Sequence, residues 1–222
     1  VTAIEPLKKI YQILFDHFGP QGWWPGETEL EIIIGAILTQ NTSWKNVEKA
    51  IKNLKEKNLL EIKKLSRIRK DTLAQLIRPA GYFNIKSERI KEIVKFLVKR
   101  YNGNLSALKR KEGDVLRREL LSVKGIGKET ADSILLYALK KPFFVVDAYT
   151  KRILSRHNLI TKDATYDEIQ NFFHKNLPRE EKVYNEFHAL LVRLGKTYCR
   201  KKPNCSNCPL FQQLDNFLTN PF

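Results

Sequence analysis

A chain of 222 residues, 42% hydrophobic and 29% charged, is long enough for one large or two small domains with real cores. No apolar run reaches the roughly 18 residues of a membrane span and no signal-peptide pattern is present, so membrane and secreted classes are set aside and a cytoplasmic, nucleoid-associated location is expected. Forty Lys and Arg against 24 Asp and Glu leave a formal charge of +16, which points to a polyanionic partner bound in a salt-dependent way.

An amphipathic helix is predicted over residues 1–19, apolar at 7, 10, 11, 14, 15 and 18 and stopped by Gly19-Pro20. The loop after it carries Trp23 and Trp24. Exposing Trp is costly, so at least one should pack in a core, while Trp24 is as well suited to stacking on a base. Thr28 is placed to cap the next helix, with Glu31 as its capping-box partner. From Leu30 to Leu38 that helix is apolar nearly all round and should be the buried centre of the molecule. It ends in the polar cluster Thr39-Gln40-Asn41-Thr42, with Trp44 just beyond.

Further helices are predicted over 45–56, 57–66, 71–78 and 86–101, interrupted by a turn through Arg78–Asn84. Lys86, Arg89 and Lys91 on the last of these read either as phosphate contacts or as a solvated charged face. No period-2 alternation of any length appears, so an all-α fold is expected. After residue 147, helices are predicted near 149–157, 166–176 and 180–196. The four histidines, 17, 157, 174 and 188, read as structural or exposed, because none has metal-ligand spacing or pairs with a candidate nucleophile.

The most informative stretch is Leu120–Tyr149. Val123-Lys124-Gly125-Ile126-Gly127-Lys128 is a short turn between two helical patterns, and Gly125 and Gly127 permit positive φ and close backbone approach. A Gly-x-Gly turn that opens a helix presents backbone N–H groups at the positive end of the helix dipole, an anion site here flanked by Lys124 and Lys128. The alternative is a plain tight connection between packed helices. Beyond it, Phe143-Phe144-Val145-Val146 should be buried and ends abruptly in Asp147, which could do no more than cap the next helix, worth about 1 kcal/mol.

The order LLSVKGIGKETAD, then VVDAYT, resembles the helix-hairpin-helix, Gly/Pro-rich loop and aspartate of the endonuclease III (HhH-GPD) superfamily of DNA glycosylases. The resemblance implies that the hairpin, with Lys124, Gly125, Gly127 and Lys128, holds phosphates of double-stranded DNA, and that Asp147 is catalytic. It nominates Gln40 to enter the DNA stack where a damaged nucleotide is extruded; a helix-terminal hydrogen-bonding role is the alternative. It also implies a monomer of two helical lobes, a barrel over 29–141 ending in the hairpin and a second lobe joining 1–28 to 142–222, with the active cleft between them and Asp147 at its floor.

Cys199-x5-Cys205-x2-Cys208 resembles the C-terminal loop that binds a four-iron four-sulfur cluster in endonuclease III relatives. Such a cluster takes four ligands, usually thiolates, and three are present. The family's last cysteine would fall near Leu214, the first spacing is five where six is commoner, and Asp215 is a hard oxygen donor poorly matched to the role. A cluster with a non-cysteine fourth ligand, a vestigial loop and a zinc site therefore stay open. Arg200, Lys201 and Lys202 fit a DNA-facing loop.

Glycosylases of this kind flip the target base out at a cost of a few kcal/mol and break the C1′–nitrogen bond. A carboxylate such as Asp147 would stabilise the oxocarbenium-like sugar and orient or deprotonate water. Bifunctional members add a lysine nucleophile two residues after the second hairpin glycine, where this chain has Glu129; Lys128 lies one residue away, turned by about 100° on the helix. A monofunctional hydrolase is therefore expected, with Lys124 or Lys128 as the remaining routes to strand cleavage. The segments WWPG, GAILTQNT, IRPAGYFN and GIGKETAD, between residues 23 and 150, look like the 3-methyladenine glycosylase branch, which also has glutamate after Gly-Lys. That implies an alkylated purine held between Trp24 and Trp44, with Glu129 beside the base pocket. The competing readings are an endonuclease III-like glycosylase and lyase on oxidised pyrimidines, a mismatch thymine or uracil glycosylase, and a catalytically silent DNA binder.

Overall fold

The computed structural model describes residues 4–211, and every regular element among them is helical. Leu214 and Asp215, the positions nearest a fourth cysteine, lie outside the described residues. The chain divides into two compact units, Trp24–Lys141 and the described parts of Val1–Trp23 with Pro142–Phe222.

The Trp24–Lys141 unit is built around α2 (Glu29–Leu38), in which every residue from Leu30 to Leu38 is buried. Thr28 Oγ1 accepts the Glu31 N–H at 3.2 Å, as a cap should. The reciprocal half of the expected capping box is not made: the Glu31 carboxylate accepts the Glu27 N–H at 3.2 Å and pairs with Lys55 at 3.0 Å. The cause is burial, because the one acidic side chain on an otherwise apolar helix face turns to the nearest cation.

Lys55 lies on α3 (Trp44–Glu56), which stops in a Schellman turn: Asn58 has φ 51°, and the N–H groups of Asn58 and Leu59 donate to the carbonyls of Lys55 and Leu54. The helix expected over 57–66 is thereby cut to α4 (Ile62–Arg67). After α5 (Lys70–Leu76) and a 3₁₀ turn over Arg78–Ala80, α6 (Phe83–Tyr101) begins three residues before its predicted start, directly behind the left-handed Tyr82 (φ 47°). The short α7 (Leu105–Arg110) escapes sequence periodicity altogether. The unit closes with α8 (Gly113–Leu121), α9 (Lys128–Ser133) and a π-helical turn over Ile134–Ala138, marked by the Leu139 N–H donating to the Ile134 carbonyl.

Lys86, Arg89 and Lys91 of α6 are engaged by acceptors of the protein itself. Lys86 is 1% exposed, and its ammonium donates to the Leu38 carbonyl at the end of α2 (2.9 Å) and to the Ala80 carbonyl (2.8 Å). Lys91 donates to the carbonyls of Leu65, Ser66 and Ile68 at the end of α4, and Arg89 donates to Gln40. Helix ends leave carbonyls without intrahelical partners, and here lysines on a neighbouring helix supply the donors.

The other unit contains α1 (Ile4–Phe18), α10 (Ala148–Arg156), α11 (Tyr166–Asn176) and α12 (Glu181–Thr197). Residues 143–146 have no regular secondary structure and are buried, as their apolar character predicts. Their backbone is satisfied by one face of α11, spaced four residues apart: Val146 N–H donates to Tyr166 Oη (3.4 Å), Gln170 donates to the Phe144 carbonyl (2.7 Å), and Phe144 N–H donates to His174 Nε2 (3.1 Å). The Phe144 ring stacks on Phe173.

Burial of the Lys86 ammonium, with Arg89 nearby, pulls its pKa from 10.5 down to about 8. The unfolded chain holds this proton to a higher pH than the folded chain, so the contribution of Lys86 to stability rises between pH 8 and 10. Neutral lysine still donates to both carbonyls. Urea midpoints should therefore rise relative to Lys86→Met across that window, and the variant should be about 2–4 kcal/mol less stable at pH 9 through its two abandoned carbonyls.

Candidate active site and nucleic-acid interface

The hairpin turn between α8 and α9 is anchored by Val123 and Ile126, both buried, whose packing leaves Lys124 exposed. Only one of its glycines needs to be glycine for conformation. Gly125 has φ 87°, and a Cβ there would lie 2.4 Å from Arg89 Cγ; Gly127 is extended (φ −91°, ψ 178°) with open space around it. One ion pair that periodicity did not reveal holds the hairpin. Arg117 on α8 grips the wholly buried Asp132 on α9 through two parallel bonds, Nε to Oδ1 at 2.6 Å and Nη2 to Oδ2 at 3.0 Å. Removing one partner of such a buried pair typically costs about 3–5 kcal/mol. Lys124 sits 3.6 Å from Glu88, an exposed pair worth little, and Lys128 and Glu129 are exposed at the start of α9.

Gln40, just past the end of α2, lies against this hairpin. Its amide donates to Thr130 Oγ1 at 2.9 Å and to the Gly125 carbonyl at 3.4 Å, while its oxygen accepts from Arg89. The side chain nominated for the DNA stack is thus also a helix-terminal hydrogen-bonder here. Tyr82, which sequence reasoning passed over, is 66% exposed despite its aromatic ring.

Trp24 and Trp44 are brought together edge to face, centroids 5.1 Å apart and planes at 87°, over the Gly35 face of α2. The π-helical turn puts the Tyr137 ring 4.9 Å from Trp24. Trp44 donates its indole N–H to Glu48 at 2.8 Å. A cavity of about 260 Å³ beside the pair is lined by Trp24, Pro25, Glu31, Trp44, Glu48 and Lys55, and Glu129 is not among its lining residues.

Asp147 caps α10: its Oδ1 accepts the Thr150 N–H at 2.7 Å. Its Oδ2 lies 3.6 Å from Nε2 of His188 on α12. Burial pushes the Asp147 carboxyl up, but the His188 ring and the Thr150 N–H outweigh it and hold the group below its ordinary range. Sequence alone reads His188 as structural or exposed and pairs no histidine with a candidate nucleophile; it is buried, and what the sequence did not show is its place beside the Asp147 carboxylate. A signal existed: Gly195 lies seven residues on, about two turns along the same face, and a Cβ there would meet Tyr149 Cδ1 at 2.3 Å, so α10 seats tightly on the face that carries His188.

Cys199, Cys205 and Cys208 line one cavity of about 330 Å³ with Arg156, Tyr198 and Phe211. Arg156 donates to Cys199 Sγ (3.2 Å) and to the carbonyls of Arg200 and Lys201, and burial pushes the Cys208 thiol up. No group of three or more His, Cys, Asp or Glu side chains among the described residues is arranged to hold a metal ion. Three sulfurs do not complete the four-ligand set of an iron–sulfur cluster. No helix among the described residues is long and apolar enough to cross a membrane.

The two glycines give a sharp contrast. Gly125→Ala, strained at positive φ and pressed onto Arg89, should lose about 1–2 kcal/mol or more in urea denaturation. Gly127→Ala should lose less, about 0.5–1 kcal/mol, because the strain is absent and only the preference for glycine over alanine at the α9 N-cap is lost.

Residues 34–179 match the model of the HhH-GPD superfamily of base excision DNA repair proteins. The chain is 55% identical over 211 residues to the Methanocaldococcus jannaschii protein MJ1434, whose name makes it provisionally a DNA repair glycosylase; the match covers 94% of this chain and 96% of that one. It is 32% identical over 178 residues to endonuclease III of Thermotoga maritima, covering 80% and 78%. Among solved structures it resembles the 3-methyladenine DNA glycosylase MagIII of H. pylori, bound to 1,N6-ethenoadenine, with 32% identity, a TM-score of 0.76 and coverage of 88% and 98%. An endonuclease III–DNA complex, at 23% identity and a TM-score of 0.82, shares the fold. With an all-helical fold, a hairpin clamped by Arg117 and Asp132, and an aspartate at the head of α10, this chain belongs to the HhH-GPD superfamily and is a DNA repair glycosylase.

Proposed function

We propose that this glycosylase hydrolyses the N-glycosidic bond of an alkylated purine, such as 3-methyladenine, in duplex DNA and leaves the strand intact. The observation that carries the substrate class is the cluster of electron-rich rings, Trp24 edge to face with Trp44 and close to Tyr137, beside a cavity of about 260 Å³. Alkylation at a ring nitrogen gives the purine positive charge, which makes it a good leaving group and a good partner for indole faces. The resemblance to MagIII supports the same reading.

In this reading the hairpin, with Lys124, Gly125, Gly127 and Lys128, takes DNA phosphates. Gln40 leaves Thr130 and the Gly125 carbonyl to occupy the space of the extruded nucleotide. Asp147 is the catalytic residue. As a carboxylate it stabilises the positive charge that develops on the sugar as the bond to the base breaks, and it accepts a proton from the attacking water. Glu129 stands where the lyase lysine of bifunctional members falls in the family motif, which supports hydrolysis without strand cleavage.

The test is base release from duplexes that carry 3-methyladenine, 7-methylguanine, 1,N6-ethenoadenine, uracil, mismatched thymine or oxidised pyrimidines, with borohydride trapping run in parallel. The expected result is release of alkylated purines, no trapped adduct, and a loss of at least about 100-fold in Asp147→Asn. Release of uracil, thymine or oxidised pyrimidines in preference to alkylated purines would overturn the substrate class, and a trapped covalent adduct would overturn the monofunctional assignment.

A further inference from the structure

Asp147, half-buried, is not the only polar group at the head of α10. His188 is 5% exposed, projects from the middle of α12 and brings Nε2 to 3.6 Å from Asp147 Oδ2, within ion-pair range and longer than a hydrogen bond. Catalytic contacts of this kind are commonly long in the free enzyme and shorten on the substrate. The other carboxylate oxygen is already engaged by the Thr150 N–H. The nearby titratable groups face elsewhere: Tyr184, one turn earlier on α12, stacks on His174 of α11 at 5.5 Å, and Arg152 of α10 donates to the Cys199 carbonyl at the far end of α12. The Phe144 ring packs edge-on to the His188 imidazole.

We infer that His188 is a positioning residue for Asp147, holding Oδ2 so that the carboxylate stays ionised and in one orientation while Thr150 fixes Oδ1. This goes beyond the capping geometry. Backbone capping alone defines one oxygen and leaves the second to the surrounding apolar core, which favours the neutral acid. A neutral Asp147 could neither stabilise a cationic sugar nor take a proton from water. The inference rests on the proposed role of Asp147, and its test separates the two.

Three variants divide the possibilities. His188→Gln keeps a donor four bonds from Cα, where the imidazole Nε2 lies; His188→Asn keeps the polarity but withdraws the donor by one bond; His188→Leu removes it. Each is checked for folding by its thermal transition. Single-turnover release of the base identified above is measured beside equilibrium binding to the same duplex, and the Asp147 side-chain carboxyl ¹³C signal is titrated in each free protein. The expected result is a fall of about tenfold or more in single-turnover rate for Asn and Leu, duplex affinity within about twofold of the parent, and recovery to within about threefold in Gln. The Asp147 carboxyl should titrate at higher pH in Asn and Leu than in the parent or Gln.

If Asp147→Asn retains activity, the proposed role of Asp147 fails, and the carboxyl titration still decides whether His188 governs its ionisation. Loss of activity in Asp147→Asn with parental rates and titration in every folded His188 variant would overturn the inference. So would a Gln variant as slow as Asn. Should the Leu variant fail to fold, the Gln and Asn pair carries the comparison.

Discussion

The end of a fully buried helix is the constraint on which the Trp24–Lys141 unit turns. An α-helix that is apolar on every side buries well, but its last carbonyls cannot reach water, and each one left without a donor costs about 1–3 kcal/mol. In α2 the Leu38 carbonyl receives the Lys86 ammonium, and Thr39 turns its hydroxyl back onto the Gly35 and Ala36 carbonyls. The same Lys86 holds the Ala80 carbonyl, so the turn before α6 is tied to the end of α2. Because that end is held, Gln40 leaves it in a defined direction and meets Thr130, Gly125 and Arg89. The hairpin is thus referenced to the core through Arg89 and Gln40 and stiffened within itself by Arg117 and Asp132.

The second unit solves a related problem with different parts. A buried strip of irregular chain has no sheet or helix to satisfy its backbone, and a single helix face, Tyr166, Gln170 and His174, supplies the missing partners. That strip delivers Asp147 to the head of α10, where the capping bond from Thr150 and the His188 ring act on different oxygens. Capping and the catalytic role proposed for Asp147 are therefore compatible in one residue. The bond that starts the helix also orients the carboxylate, and its charge is favoured at the positive end of the α10 dipole.

Much of this was legible in residue order. Periodicity marked α2 as the buried centre, the absence of alternation marked the chain as helical, and the apolar run 143–146 announced a buried segment ending in Asp147. Boundaries went astray where a local conformation overrode propensity: Asn58 ended α3 in a left-handed turn and erased the first half of the helix expected over 57–66, and Tyr82 allowed α6 to start early. The basic character of α6 misled most. Charge looks the same in a sequence whether the ammonium faces a phosphate, water or a buried carbonyl, and only packing showed that Lys86 and Lys91 serve helix ends.

What the sequence by itself determined is the class of object: an all-helical, strongly basic chain with a glycine hairpin and an aspartate at a helix start, each set by short-range rules of periodicity, capping and charge. What only the tertiary structure decided is which distant side chains act on those motifs. Arg89 beneath Gly125, Asp132 in the grip of Arg117, Tyr137 against Trp24 and His188 beside Asp147 join residues 15 to 113 positions apart or lie on faces that periodicity marks merely as buried. Such pairings follow from the close approach of helices, at Gly195 against Tyr149 for example, and helix approach is a property of packed shapes that no local pattern encodes.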